Sequence, residues 1–167
     1  MLGAIVAVQR TSTISSVQIE HLTRMLSPLV DDVILLGGTE EGTRQRTVRV
    51  PRSASELAAV AEALAHAGDD HVMVVAADLR WPSPELLRYM SMIRAGHEAV
   101  VPEDPEGEPQ PLLAIYHGRV AGRARGLAGS GERDLKALLK DVLVRRVTTD
   151  ELAKFGSPRR LLERGSQ

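Results

Sequence analysis

The side chain best placed to do chemistry in this sequence is Asp78, within VVAADLRWPSP at residues 74–84. Burying an ionised carboxylate at the end of an apolar run is costly unless a partner compensates its charge. A carboxylate at the carboxyl end of a buried strand can hold Mg²⁺ for a nucleotide phosphate, because this ion needs few protein ligands. Pairing with Arg80, or capping of the following turn, accounts for Asp78 equally well. The spacing alone leaves these interpretations open.

Two clusters of basic residues are weaker candidates for anion binding. The Gly-rich segment 118–131 contains three arginines, but its spacing matches neither GxxxxGK[ST] nor GxGxxG, so we predict a surface connection with at most a short helix. A second cluster lies in TRQRTVRVPR at residues 43–52, for which a solvated edge strand is the favoured interpretation. Its members are Arg44, Arg46, Arg49 and Arg52.

The elements that must position Asp78 follow from the hydrophobic pattern. Continuous apolar runs at residues 2–8, 33–36 and 71–76 predict strands buried on both faces. Further strands are predicted at 98–102, 111–116 and 143–148. Amphipathic helices are predicted between them, because serines stand where helical spacing begins. The predicted N-caps are Ser15 or Ser16, Ser53 (with Glu56 completing a capping box), Ser83, Ser130 and Ser157.

This alternation of strands and helices predicts one α/β domain over residues 1–167, with a mostly parallel sheet. In such folds ligands gather outside the carboxyl ends of the strands. Because Asp78 follows the strand at 71–76, we expect its carboxylate at that edge.

Composition excludes several classes of function. The chain has no cysteine, which rules out thiol catalysis and zinc–thiolate sites. Aromatic residues are only 2% and the formal net charge is −1, so neither base stacking nor electrostatic attraction favours nucleic acid. No apolar run is long enough to span a membrane, and the first residues lack the charged start of a signal peptide. We therefore expect a cytoplasmic protein that binds neither nucleic acid nor membrane.

Several segments together resemble the molybdenum cofactor guanylyltransferases, which belong to the wider MobA-like nucleotidyltransferases. VMVVAADLRWPSPELLRYM at residues 72–90 is similar to the family's V-L-x-x-x-x-D-x-P-x-[IL]-x-P-x-L, and QPLLAIY at 110–116 to its Q-P-L-x-A-L-Y. GAIVAV, SPLVDDVILLGG and SELAAVAEAL resemble its first two strands and a helix. The segments GERDLKALLKD and FGSPRRLL resemble its last two helices. The resemblance covers nearly the whole chain, in the family's order.

The resemblance implies a three-layer Rossmann-like domain of the nucleotide-diphospho-sugar transferase kind. It implies transfer of GMP or CMP from a nucleoside triphosphate to a phosphate-bearing, molybdopterin-type acceptor, with release of pyrophosphate. Mg²⁺ would be the cofactor. By the same resemblance, residues take three roles: Asp78 as catalytic and metal-binding residue; Ala7, Val8, Gln9, Arg10, Ser55 and Leu57 at the nucleotide; Gln110 and Pro111 at the acceptor.

The sequence departs from the family where triphosphate is bound. The family's first loop, LAGGxSxRMGxxK, corresponds here to AVQRTSTISSVQIEHL, in which Val8 and Gln9 replace the glycine pair, no lysine follows, and Arg10 is the cation that stays. Glu56 also places a negative charge where a nucleotide would approach.

These departures keep other interpretations open. One is a catalytically degenerate binding or regulatory protein with the same fold, and a partner chain that supplies the missing loop is compatible with either activity. A sugar-phosphate or isoprenoid-precursor nucleotidyltransferase is the nearest enzymatic alternative. An α/β domain with an unrelated small ligand and a structural Asp78 is the last.

Overall fold

The computed structural model describes residues 1–8, 14–38, 46–51 and 53–165. Its centre is a seven-stranded sheet in the order β3-β2-β1-β4-β6-β5-β7. The strands are β1 Leu2–Val6, β2 Asp32–Leu36, β3 Arg46–Val48, β4 His71–Ala76, β5 Ala99–Pro102, β6 Leu113–His117 and β7 Val144–Val147. β6 runs antiparallel to both of its neighbours, β4 and β5, and the other pairs are parallel. The predicted, mostly parallel sheet is confirmed.

Helices cover both faces of this sheet, which gives three layers. They are α1 Ser16–Leu26, α2 Glu56–Ala67, α3 Pro84–Met92, α4 Ala121–Gly129, α5 Thr149–Leu152 and α6 Pro158–Leu161, with 3-10 turns at Gly118–Val120 and Leu135–Leu139. Among the described residues, no helix is long and apolar enough to cross a bilayer.

Successive residues of each buried strand serve opposite halves of the core, as the pleat requires. On β1, Ala4 packs in the half covered by α2 and α4, whereas Ile5 packs in the half covered by α1 and α3. Every residue from Val72 to Ala77 is completely buried. Asp78 therefore follows the strand that is most enclosed by the two layers.

The helix starts match the predictions at three sites and differ at two others, and one of the matches is Ser157, which directly precedes α6. Ser15 caps α1, and Ser83 caps α3 with Pro84 in the first turn. The start of α2 was predicted wrongly: Ser55 accepts from the backbone N–H of Ala58 and replaces Ser53 as the N-cap.

The Gly-rich segment 118–131 is more ordered than its composition suggests. It forms the nine-residue helix α4, and Ser130, predicted to start a helix, instead follows its end, where its hydroxyl donates to the Leu127 carbonyl (2.8 Å). The next helical turn is capped by Asp134. Gly118 is required by a close approach, because a Cβ there would lie 1.8 Å from the Gly68 carbonyl oxygen.

The arginine cluster at 43–52 lies only partly within the described residues. Arg46 begins the edge strand β3, as predicted, and forms an exposed ion pair with Asp32 at 3.5 Å. Arg44 and Arg52 lie outside the described residues, so the less favoured alternative, anion binding by this cluster, stays untested.

Candidate functional site

Asp78 lies just beyond the carboxyl end of β4, in the turn that leads to α3. Ala77 continues the ladder for one residue by donating its N–H to the carbonyl of Val6 at the end of β1 (2.9 Å). The Asp78 side chain is only 3% exposed. The sequence-based placement of this carboxylate at the carboxyl edge of the sheet is therefore correct.

The carboxylate forms an ion pair with an arginine that is distant in sequence. Arg164 Nε donates to Asp78 Oδ1 at 2.9 Å. The other two nitrogens of the same guanidinium contact Glu56 Oε1 at 3.3 and 3.4 Å. Arg80, the partner considered from the sequence, pairs with Glu163 at 3.2 Å. One guanidinium thus joins Asp78 to the first residue of α2.

Residues 163–165, which we call the strap, bring Arg164 to this position through backbone contacts. Arg164 forms an antiparallel bridge with Leu79. On either side, the Arg80 N–H donates to the Glu163 carbonyl (2.9 Å) and the Gly165 N–H to the Asp78 carbonyl (2.8 Å). The strap therefore pairs, strand-like, with the turn that carries the candidate catalytic residue.

Trp81 fastens the strap from the side. Its indole Nε1 donates to Glu163 Oε2 at 3.0 Å, and the Arg160 guanidinium lies 4.1 Å from the ring centroid. A cation over an aromatic face is attracted by the ring quadrupole. Trp81 is nevertheless 46% exposed, so these contacts with Glu163 and Arg160 lie at the protein surface.

The predicted acceptor residues lie on one side of the strap. Gln110, Pro111, Glu56 and Arg164 line the same small cavity, about 50 Å³ in volume. The segment is held from beneath, since the buried Tyr116 hydroxyl donates to the Pro111 carbonyl at 2.6 Å. Burial, with a smaller contribution from Glu56, raises the pKa of Tyr116 above its usual range. The structure therefore brings the predicted acceptor residues to Arg164.

The predicted nucleotide-binding residues that the structure describes have different structural roles, namely core packing, helix capping and backbone hydrogen bonding. Val8 and Leu57 are buried in the core, and the Ser55 hydroxyl serves as the cap of α2. Ala7 donates its N–H to the Leu36 carbonyl at 2.8 Å. Val8 and Leu57 therefore contribute to packing, Ser55 caps a helix, and Ala7 extends the sheet through its backbone. The role of these residues at a nucleotide stays a prediction.

Gln9 and Arg10, the other two residues predicted at the nucleotide, lie outside the described residues. Beside the start of α1 is an open depression of about 490 Å³, lined by Ser15, Gln18, Asp78, Trp81 and Gly165 among others. The strap thus contributes to the walls of both concavities, through Arg164 on the acceptor side and Gly165 in this depression.

The donor set does not fit Mg²⁺ in this arrangement. Magnesium would require the carboxylate oxygens of Asp78, and Glu56 offers the nearest additional one. However, Asp78 Oδ1 and Glu56 Oε1 both accept from the Arg164 guanidinium. Within the described part of the chain, no group of three or more acidic or histidine side chains could hold a metal ion.

The sequence analysis missed Arg164, the residue that defines this site. It lies in SPRRLLERGSQ, and arginines near the end of a helix are usually exposed to solvent, so nothing in this segment indicates a special role. The one signal in the sequence was Asp78 itself. It was predicted to be a buried carboxylate, and a buried negative charge needs a cation to compensate it.

The fold of this chain is shared with the solved structure of another protein. The crystal structure of molybdopterin-guanine dinucleotide biosynthesis protein A from Archaeoglobus fulgidus has a TM-score of 0.74 to this chain. The match is 21% identical and covers 96% of this chain and 95% of that chain, which shows a shared fold.

This chain belongs to the MobA-like NTP transferase family, whose model matches residues 15–148. A probable molybdenum cofactor guanylyltransferase from Pelotomaculum thermopropionicum is 31% identical over 102 residues, 59% of this chain and 49% of that protein. Another from Bacillus mycoides is 24% identical over 144 residues, 80% of this chain and 72% of that protein. The match to the first of these spans about half of its length.

Proposed function

We propose that this protein transfers a nucleoside monophosphate, GMP or CMP, from a nucleoside triphosphate to a phosphate-bearing pterin of molybdenum cofactor biosynthesis. Membership of the MobA-like family and the guanylyltransferase relatives support this proposal. The observation that carries it is the position of Asp78, which lines the open depression beside α1 and pairs with Arg164, a residue that lines the cavity of Gln110 and Pro111. Both substrates could approach this one carboxylate.

The proposed reaction is a substitution at phosphorus. An oxygen of the acceptor phosphate attacks the α-phosphorus of the triphosphate, the bond from that phosphorus to the bridging oxygen breaks, and pyrophosphate leaves. The acceptor phosphate is already ionised, so no strong general base is required. Catalysis then consists of positioning and of neutralising charge on the phosphates.

In this proposal the protein's own residues orient the substrates. The Gln110 amide, which donates to Asp104 Oδ2 at 3.2 Å, borders the acceptor cavity, and Arg164 is the cation at the centre of the site. Mg²⁺ at Asp78, which the family resemblance implies, would require Arg164 to leave.

The test is release of pyrophosphate from GTP or CTP in the presence of a molybdopterin acceptor. We expect Asp78→Asn to lower the rate by about 100-fold or more, the size of effect seen when one preorganised electrostatic group is lost. Glu62→Gln, which neutralises an exposed carboxylate on α2, is the matched control and should leave the rate unchanged. Absence of pyrophosphate from the folded wild-type protein, or full activity of Asp78→Asn, would refute the proposal.

A second candidate is a MobA-fold protein that binds nucleotide or pterin without turnover. The Arg164 contact favours it, since the carboxylate expected to hold the metal already accepts from a guanidinium. A partner chain that supplies the phosphate-binding donors is compatible with either candidate. Ligand at 100 times its dissociation constant should stabilise the protein by about 2.7 kcal/mol. A rise in melting temperature without pyrophosphate release would support this candidate over the first.

A further inference from the structure

The Arg164 guanidinium lies where a divalent cation would have to bind. It contacts one oxygen of Asp78 and one of Glu56, which are hard carboxylate donors of the kind that Mg²⁺ and Mn²⁺ bind. A cation and a guanidinium cannot both occupy these oxygens. The two carboxylates that share this guanidinium carry two formal negative charges between them.

The guanidinium is an intramolecular competitor because the strap is tethered to the turn it covers. The backbone contacts of Glu163 and Gly165 fix its ends on either side of Arg164, and the Trp81 indole holds Glu163. A tethered group binds at an effective concentration far above that of a free one. A weakly bound metal ion would therefore compete poorly with Arg164.

The strap is placed so that it can be displaced without opening the core. The Arg164 side chain is 32% exposed, against 3% for Asp78, so the guanidinium covers the carboxylate from the solvent side. Besides the backbone contacts, the side chains that hold the strap, namely Arg80, Trp81 and Glu163, are exposed. Withdrawal of these residues would leave both halves of the hydrophobic core intact.

Displacement would also connect the two concavities. Arg164 lines the cavity that contains Gln110, and Gly165 lines the depression beside α1. Movement of the strap would thus expose Asp78 and remove part of the wall on both sides of it.

We propose that Arg164 and a divalent cation bind Asp78 in mutually exclusive states, with the strap acting as a built-in competitor that keeps the metal out. This inference goes beyond the proposed function, because it concerns metal binding by the protein alone. It holds for a transferase and for a binding protein.

The test is a titration of the protein with Mn²⁺ alone, in which electron paramagnetic resonance measures the free ion. We expect Arg164→Ala to bind Mn²⁺ at least tenfold more tightly than the wild type, since the competing state has been removed. Adding Asp78→Asn to Arg164→Ala should abolish the gain. Arg164→Gln, which loses the charge but keeps a hydrogen-bond donor, should also gain affinity and serves as the second variant if Arg164→Ala does not fold.

Arg80→Ala is the matched control, since it removes an arginine that pairs with the strap without a described contact to Asp78. Its affinity for Mn²⁺ should stay within twofold of the wild type. Equal affinities of the wild type and the two Arg164 variants would overturn the proposal, as would a gain that persists when Asp78 is replaced. The titration contains neither nucleotide nor pterin, so failure of the transferase proposal would not affect its result.

Discussion

Two carboxylate–arginine clusters in this protein differ in how the negative charge is compensated. At the carboxyl edge of the sheet, one guanidinium contacts two carboxylates, those of Asp78 and Glu56. At the end of β7 the ratio is reversed, because several donors converge on the single carboxylate of Glu151. They are two nitrogens of Arg145, the Tyr89 hydroxyl, and the backbone N–H and hydroxyl of Thr148.

The two ion pairs differ in how they are assembled, one by a local motif and the other by contacts between distant segments. Arg145 donates to Glu151 over six residues, within a capping box that starts α5. Its guanidinium, aided by the Tyr89 hydroxyl, lowers the pKa of Glu151 to about 2. Arg164 instead reaches Asp78 across 86 residues and Glu56 across 108. In the proposal above, a cluster that is assembled by the fold, with one guanidinium shared by two carboxylates, is suited to exchanging its cation.

The largest effect on stability should come from removing Arg164. Arg164→Ala leaves the Asp78 carboxylate nearly buried without this guanidinium, and loss of one partner of such a pair typically costs about 3 kcal/mol. Urea denaturation at pH 7 measures the change in the free energy of unfolding.

The double variant Arg164→Ala with Asp78→Ala supplies the control for this cycle. It should be more stable than the two separate losses added together, because the carboxylate that needs compensation is also gone. Strict additivity would mean that Arg164 and Asp78 are energetically independent, which would contradict the proposed compensation of the Asp78 carboxylate by Arg164.

A smaller effect is expected at the structural cluster. Glu151→Gln should lower the free energy of unfolding by about 2 kcal/mol at pH 7, because hydrogen bonds to a charged acceptor are weakened. Since folding lowers the pKa of Glu151 from 4.5 to about 2, its contribution is complete above pH 4.5 and is lost as the pH falls towards 2.

The pH dependence makes this second prediction specific. Denaturation of the wild type and Glu151→Gln should therefore differ most near neutral pH and converge near pH 2. A difference that stays constant from pH 7 to pH 2 would contradict the assigned role of the ionised carboxylate.

The smallest effect is expected at an ion pair that belongs to neither cluster. Arg159 pairs with Glu106, and both side chains are more than half exposed. Arg159→Ala should change the free energy of unfolding by less than about 0.5 kcal/mol, since solvent screens such pairs. A loss comparable to that of Arg164→Ala would show that any arginine near the strap has the same effect.

The sequence predicted the sheet better than it predicted the site. Apolar runs such as residues 71–76 are a strong signal because burial on both faces of a sheet leaves little choice of residue. The helix start at Ser55 was missed because Ser53 also matches a capping pattern, and local spacing cannot decide between neighbouring serines. The apolar run that identifies strand β4 also places Asp78 at the edge of the sheet, because Asp78 comes just after that run.

Arg164 could not be predicted because its role depends on a contact between distant segments. Nothing in the local pattern of residues 157–167 distinguishes Arg164 from Arg159 or Arg160, although one contacts Asp78, another Glu106 and the third Trp81. These contacts depend on where α6 and the strap that follows it pack, which the hydrophobic pattern does not encode.

The indole that fastens the strap also has a spectroscopic consequence. Trp81 is the single tryptophan of the sequence, and its ring contacts a guanidinium while its N–H contacts a carboxylate of the strap. All tryptophan fluorescence of the protein therefore originates from a chromophore three residues from Asp78. Opening of the strap removes the Glu163 carboxylate from the indole N–H of this chromophore, so the protein contains its own optical probe of the site.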